Sequence, residues 1–273
     1  MKIYWLADYT TKDHIGGAQR TNEIMINSGI ARDHEVVIIQ PDDFRFADDG
    51  LWILNNMTRF TAEQINEIVT NGRYISYCHD HWLNYNHKTF PQFFDKSLLN
   101  IFLSPAHREC YRTSCPDDSK IYLQPSPIVG FNYVKEDRDD VIIWVGQFRR
   151  GKGIEQVLDI APQQKDRILF YGWDNADILA KIKSTPNCQY MGKATHLELC
   201  RVYRKAKALI HLPDEVEPFG RTIMEAYLSG CHVIGNDNVG ALSYDWDWSN
   251  YEKIRNINDK IPDKFWDTIE NII

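Results

Sequence analysis

Short apolar runs alternate with segments of helical period along the whole chain. Residues 2–7 read as a buried strand, followed by a polar turn that ends in Gly16-Gly17 and by a helix up to Gly29 with apolar positions at 24, 26 and 30. Residues 34–40 and 51–54 are further strands. A helix over 61–71 carries Ile65, Ile68 and Val69 on one face, as a 3.6-residue period requires. Strands follow at 73–78, 98–103 and 120–123, the last two around a helix-like stretch at 105–113. Residues 125–140 break the pattern with Pro125, Pro127 and a charged run, and read as a linker. The alternation then restarts. Strands are expected at 141–145, 167–172, 187–191, 207–212 and 231–235, with helices near 154–161, 174–183, 195–205 and 219–229. The chain ends in a Trp- and Asn-rich tail with a helix-like close.

Strands alternating with helices imply βαβ units, and near-continuous apolar strands imply a sheet covered on both faces. The expected fold is α/β: two Rossmann-like, doubly wound parallel-sheet domains, residues 1–130 and 131–273, facing a central cleft.

Composition narrows the class. With 43% hydrophobic and 25% charged residues among 273, the chain is globular, and disorder or coiled coil is excluded as its main architecture. Acids outnumber bases 38 to 31, which weighs against nucleic acid as a partner. The six Cys show no CxxC spacing, which argues against a zinc knuckle and suits free thiols in a reducing compartment. No apolar run is long enough to span a bilayer, and the first one meets Asp8 too early for a signal peptide. A cytoplasmic location is expected.

Candidate chemistry concentrates at strand ends. After the strand at 207–212 comes Glu217-Pro218-Phe219-Gly220-Arg221-Thr222, opening a helix that carries Glu225. The free N–H groups of a helix start favour an anion such as phosphate. A carboxylate beside it suits sugar or ribose hydroxyls, which donate hydrogen bonds to it. The turn after residues 141–145 holds Gly146, Gln147, Arg149, Arg150, Lys152 and Gly153, a cationic loop suited to a diphosphate. Gly16 and Gly17 permit close backbone approach. His79, Asp80 and His81 follow the strand at 73–78 and could bind a metal or line a site.

Glu217 and Glu225, seven residues apart, resemble the E-x7-E motif of retaining glycosyltransferases of the GT-B architecture, close to glycosyltransferase family 4. The resemblance covers about 141 to 242 well, and reaches the first half through the Gly-Gly loop, the strand order and the histidines. It implies a metal-independent transferase with no bound cofactor, taking a nucleotide-sugar as co-substrate. The acceptor it implies is a hydroxyl of a glycan, a lipid-linked molecule or another compound. Lys152 would clamp the donor diphosphate. Gln147 stands where the family has an arginine, a role that falls to Arg149 or Arg150. Glu217 would hold the transferred sugar, Glu225 the ribose, Gly192 the nucleobase, and His79 or His81 would face donor and acceptor. The tail after 242 is assigned to the second domain, short of the terminal helix that in the family crosses back to the first. A nucleotide-sugar-binding protein without turnover, an epimerase or phosphorylase of the same plan, and glycosylation of modified DNA are the rival readings.

Overall fold

The computed structural model describes residues 1–13, 16–55, 57–80, 92–173 and 175–273. The chain divides into two compact units, residues 1–127 with 256–273, and residues 128–255.

The first unit is built from β1 (Lys2–Leu6), α1 (Gly17–Ile30), β2 (Glu35–Ile39), β3 (Leu51–Leu54), α2 (Ala62–Asn71), β4 (Arg73–Tyr77), α3 (Phe93–Lys96), β5 (Asn100–Phe102), α4 (Pro105–Glu109) and β6 (Ile121–Leu123). Its six strands run in the order β2-β1-β3-β4-β5-β6, all parallel. β3 is buried at every position and β1 at all but its first, so the inner strands need apolar residues on both faces. α2 begins with a capping box between Thr61 and Gln64, which satisfies two donors of its first turn. On α1 the buried residues are Gln19, Thr21, Asn22, Met25, Ile26 and Gly29, while Ile30 is exposed. The helix-like stretch at 105–113 is helical only to Glu109 and continues as turns.

The second unit holds β7 (Asp139–Gln147), α5 (Ile154–Ile160), β8 (Arg167–Trp173), α6 (Ala176–Ser184), β9 (Cys188–Gly192), α7 (His196–Lys205), β10 (Ala206–His211), α8 (Arg221–Leu228) and β11 (His232–Gly235). β7 starts inside the charged run assigned to the linker. The parallel order is β11-β10-β7-β8-β9. The direction of winding reverses between β7 and β10, which pair through Ile142–Ala208 and Ile143–Leu209. Ligands of open α/β sheets bind beyond the carboxyl ends of the strands at such a reversal.

α9 (Tyr251–Asp259) leads into α10 (Ile261–Ile272). Residues 256–273 belong to the first unit, so the assignment of 131–273 to one domain is corrected. The cause is tertiary. Ile261, Phe265, Trp266 and Ile269 form the buried stripe of α10. The Trp266 Nε1–H donates to the Met25 carbonyl at 2.9 Å. Gly29 makes room for the indole, because a Cβ there would overlap the Trp266 ring. Arg32 adds contacts to Asp267 at 2.6 Å and Glu270 at 3.1 Å. Among the described residues no helix is long and apolar enough to cross a membrane.

Candidate active site

The site of the second unit is assembled from the two strand ends at the sheet reversal. β7 ends at Gln147, Phe148 is buried, and the chain turns through Arg149, Arg150, Gly151, Lys152 and Gly153 into α5. Gly153 holds this turn in place. Its φ is +68°, and a Cβ would overlap the Leu212 carbonyl. Only glycine combines that dihedral with so close an approach. The turn is thus pressed against the loop that follows β10. The Asp214 N–H donates to the Gly151 carbonyl at 3.2 Å, and Gln156 bonds the Asp214 carboxylate.

Within that loop Glu217 meets two partners. Lys152 Nζ lies 2.6 Å from Glu217 Oε1, and His211 Nε2 bonds Oε2. The Glu217 side chain is 18% exposed and that of Lys152 21%. Burial alone would raise the Glu217 carboxyl, but the adjacent charges and hydrogen bonds of His211 and Lys152 outweigh it. They hold the group well below the usual carboxylate range. The backbone of Glu217 is fixed too: its N–H donates to Asn238 O at 2.8 Å, and Gly240 N–H donates to its carbonyl at 2.9 Å. The side chains of Asn236 and Asn238 both donate to Pro213 O at 2.9 Å, tying the loop after β11 to the same place.

α8 begins at Arg221, with Gly220 as its cap at φ +84°. A Cβ on Gly220 would come within 2.8 Å of Val239. Phe219, expected to contact ligand, is buried at 2% exposure and anchors the helix start. Glu225, expected to hold the ribose, is also buried, at 6%. Its Oε1 lies 3.5 Å from Arg221 and its Oε2 accepts from Tyr203 Oη at 3.5 Å. The reason is helical spacing: four residues place Arg221 and Glu225 on the same face, turned towards α7.

Of the three cations in the turn, Lys152 is the one that reaches the carboxylate; Arg149 and Arg150 are exposed, and Gln147 is half-buried. Gly192 ends β9 at φ +91° with open space where a side chain would stand. Beside it Lys193 Nζ lies 4.7 Å from the Trp173 ring centroid.

In the first unit Gly16 caps α1 in extended conformation and Gly17 is its first residue. His79 is buried, with its ring 4.3 Å from that of Tyr77. Ile15 of the glycine loop and His81 lie outside the described residues, so the His79/Asp80/His81 grouping is seen only in part. His211 was not among the expected site residues. The signal was available: a histidine at the carboxyl end of a strand whose last three preceding residues are apolar, six residues before Glu217.

Residues 130–248 match the family described as "Glycosyl transferases group 1". No curated protein is significantly similar to the chain in sequence. Solved structures are similar in fold. Sucrose-phosphate synthase from Thermosynechococcus elongatus superposes with a TM-score of 0.71 at 15% identity, over 88% of this chain and 82% of that one. Anabaena HepE in complex with UDP-glucose gives 0.65 at 14% identity, over 95% and 89%. An alpha-glucosyltransferase in complex with UDP-glucose and DNA containing an abasic site gives 0.59 at 13%, over 96% and 90%. The fold of this chain is the GT-B fold, with two Rossmann-like parallel-sheet domains.

Proposed function

We propose that this chain is a metal-independent, retaining glycosyltransferase that moves a sugar from a nucleotide-sugar to a hydroxyl acceptor. The observation that carries the reading is the convergence of Lys152, Glu217 and the start of α8 at the reversal of the second sheet. The family match over 130–248 supports it from the same residues.

Two charges develop when a sugar leaves a diphosphate. The leaving group gains negative charge, and the sugar becomes oxocarbenium-like. Lys152 and the N–H groups at the α8 start stabilise the first as preorganised electrostatics. An ammonium has three donors, so Lys152 can serve Glu217 and a phosphate oxygen together. Arg149 and Arg150, on the same turn, extend the cationic face. Glu217 accepts hydrogen bonds from the sugar hydroxyls and faces the growing positive charge. A carboxylate held well below the usual range is a weak base near neutral pH. That suits a fixed electrostatic partner and argues against a proton acceptor, in keeping with front-face attack without a protein nucleophile. Glu225 holds the ribose, Gly192 leaves space for the base, and His79 with the Gly16-Gly17 loop serves the acceptor side of the first unit.

Two of the similar structures were solved with UDP-glucose, so uridine donors are the first to try. The test is a thermal-shift panel of UDP-, GDP-, ADP- and CDP-sugars with and without EDTA. A ligand that binds the native state raises its melting temperature, by about 2.7 kcal/mol of stability at a hundredfold excess over Kd. Stabilisation by one nucleotide class, unchanged by EDTA, is expected; stabilisation by none rejects the reading.

A further inference from the structure

His211 is the last residue of β10, and it is 2% exposed. Its Nε2 bonds Glu217 Oε2. Its Nδ1 is buried and has no hydrogen-bond partner among the described residues. The polar capacity of this ring is therefore spent on one contact, the Glu217 carboxylate. A buried polar atom left unpaired is costly, and a leucine of similar volume would avoid that cost. A ring kept in such a place serves the group it touches.

We propose that His211 is a positioning residue that fixes the orientation and ionised state of Glu217 independently of Lys152. The inference rests on the reading of Glu217 as the ligand of the transferred sugar. The physical reason is a division of labour. Lys152 sits on a turn with two exposed arginines, and its ammonium must be able to turn towards a diphosphate. His211 sits on a central strand between β7 and β11 and cannot follow. With Oε2 held by the strand, the Glu217 carboxylate keeps one anchored oxygen and presents Oε1 to whatever Lys152 also contacts. With the carboxylate ionised, the contact needs a donor, so Nε2 is the protonated ring nitrogen.

The charged groups around this pair are few. Lys152 faces Glu217 from the turn after β7. On the same loop Asp214 is bonded to Gln156, and the Glu215 carboxylate lies over Gly151. Arg221 at the α8 start pairs with Glu225. From the loop after β11, Asn236 and Asn238 are neutral and turned to Pro213. His211 and Lys152 are the two groups that hold the Glu217 charge.

The test is a carboxyl-carbon NMR titration of Glu217, with its signal assigned by loss in Glu217→Gln, in wild type, His211→Leu and His211→Gln. Leucine removes the donor. Glutamine can place an amide N–H at about the reach of Nε2. In His211→Leu the Glu217 midpoint should rise by about one pH unit or more, and His211→Gln should recover part of the difference. An unshifted midpoint in a folded His211→Leu overturns the proposal. Should that variant fail to fold, the nitrogen-15 spectrum of wild-type His211 decides: a protonated Nε2 supports the proposal and a bare Nε2 overturns it. Turnover of UDP-glucose and the other nucleotide-sugars, followed in parallel, separates the two readings. Absence of turnover in wild type removes glycosyl transfer and leaves the titration result standing. Normal turnover with an unshifted midpoint removes the role of His211 alone.

Discussion

Lys152 Nζ and Glu217 Oε1 lie 2.6 Å apart although 65 residues separate them in the chain. One closes the turn after β7 and the other lies in the loop after β10, strands that are neighbours in the sheet. A cation suited to a diphosphate and a carboxylate suited to a sugar thus form one charged unit. Each residue then sets the electrostatics of the other.

Lys152→Ala is expected to weaken binding of a nucleoside diphosphate such as UDP by about 1.5–3 kcal/mol, the loss of one charge-assisted contact. It also strips Glu217 of one of two partners, so turnover should fall by more than the affinity alone accounts for. Calorimetry with UDP checks the first part; an affinity equal to wild type would remove Lys152 from the diphosphate site.

Stability should depend on pH through Glu217. Its folded-state pKa is depressed below the ordinary glutamate value of about 4.3, so the unfolded chain takes up the proton first on acidification. The stabilisation is full above that unfolded value and drains away as pH falls through it towards the folded one. Wild type should lose about 1 kcal/mol more than Glu217→Gln between pH 7 and pH 3.5. Urea midpoints at the two pH values test this, and equal losses would mean that the carboxylate is not held as described.

Glu225→Gln should cost stability as well as affinity. Glu225 is 6% exposed, with Arg221 on one oxygen and Tyr203 on the other. Removing its charge weakens the ion pair with the half-buried Arg221 guanidinium, at about 1–3 kcal/mol. A melting temperature several degrees lower, with donor KM raised and kcat nearly unchanged, is expected. A wild-type melting temperature would contradict the buried pairing.

Two of the glycines at positive φ, Gly192 and Gly153, separate strain from collision. Gly192→Ala meets open space and bears only the backbone penalty, about 1–2 kcal/mol. Gly153→Ala bears that penalty and also overlaps the Leu212 carbonyl, so the Lys152 turn must move. It should cost several kcal/mol and abolish nucleotide binding. Denaturation curves of the two variants compare them directly; similar losses would show that Gly153 does not clamp the turn.

Local patterns in the sequence reveal what local physics determines. Apolar strands, the Gly153 and Gly220 turns and the α8 start are legible because each follows from a period or from a residue with special backbone freedom. The pairing of Lys152 with Glu217 is not, because it depends on β10 crossing over to lie beside β7. The burial of Phe219 and Glu225 likewise depends on which side of α8 faces α7. The return of residues 256–273 to the first unit rests on Trp266 fitting over Gly29, a contact between positions far apart in the chain. A lone glycine near the end of α1 reads only as a helix stop.

Release of nucleoside diphosphate from a panel of UDP-, GDP-, ADP- and CDP-sugars, compared between wild type and Glu217→Gln, tests glycosyl transfer at this site most directly. Wild type should release the diphosphate from at least one donor class. Glu217→Gln should release it roughly 10²–10³-fold more slowly at saturating donor, as for the loss of one electrostatic stabiliser of the transition state. Release from no donor by wild type, or full kcat in Glu217→Gln, would contradict the account.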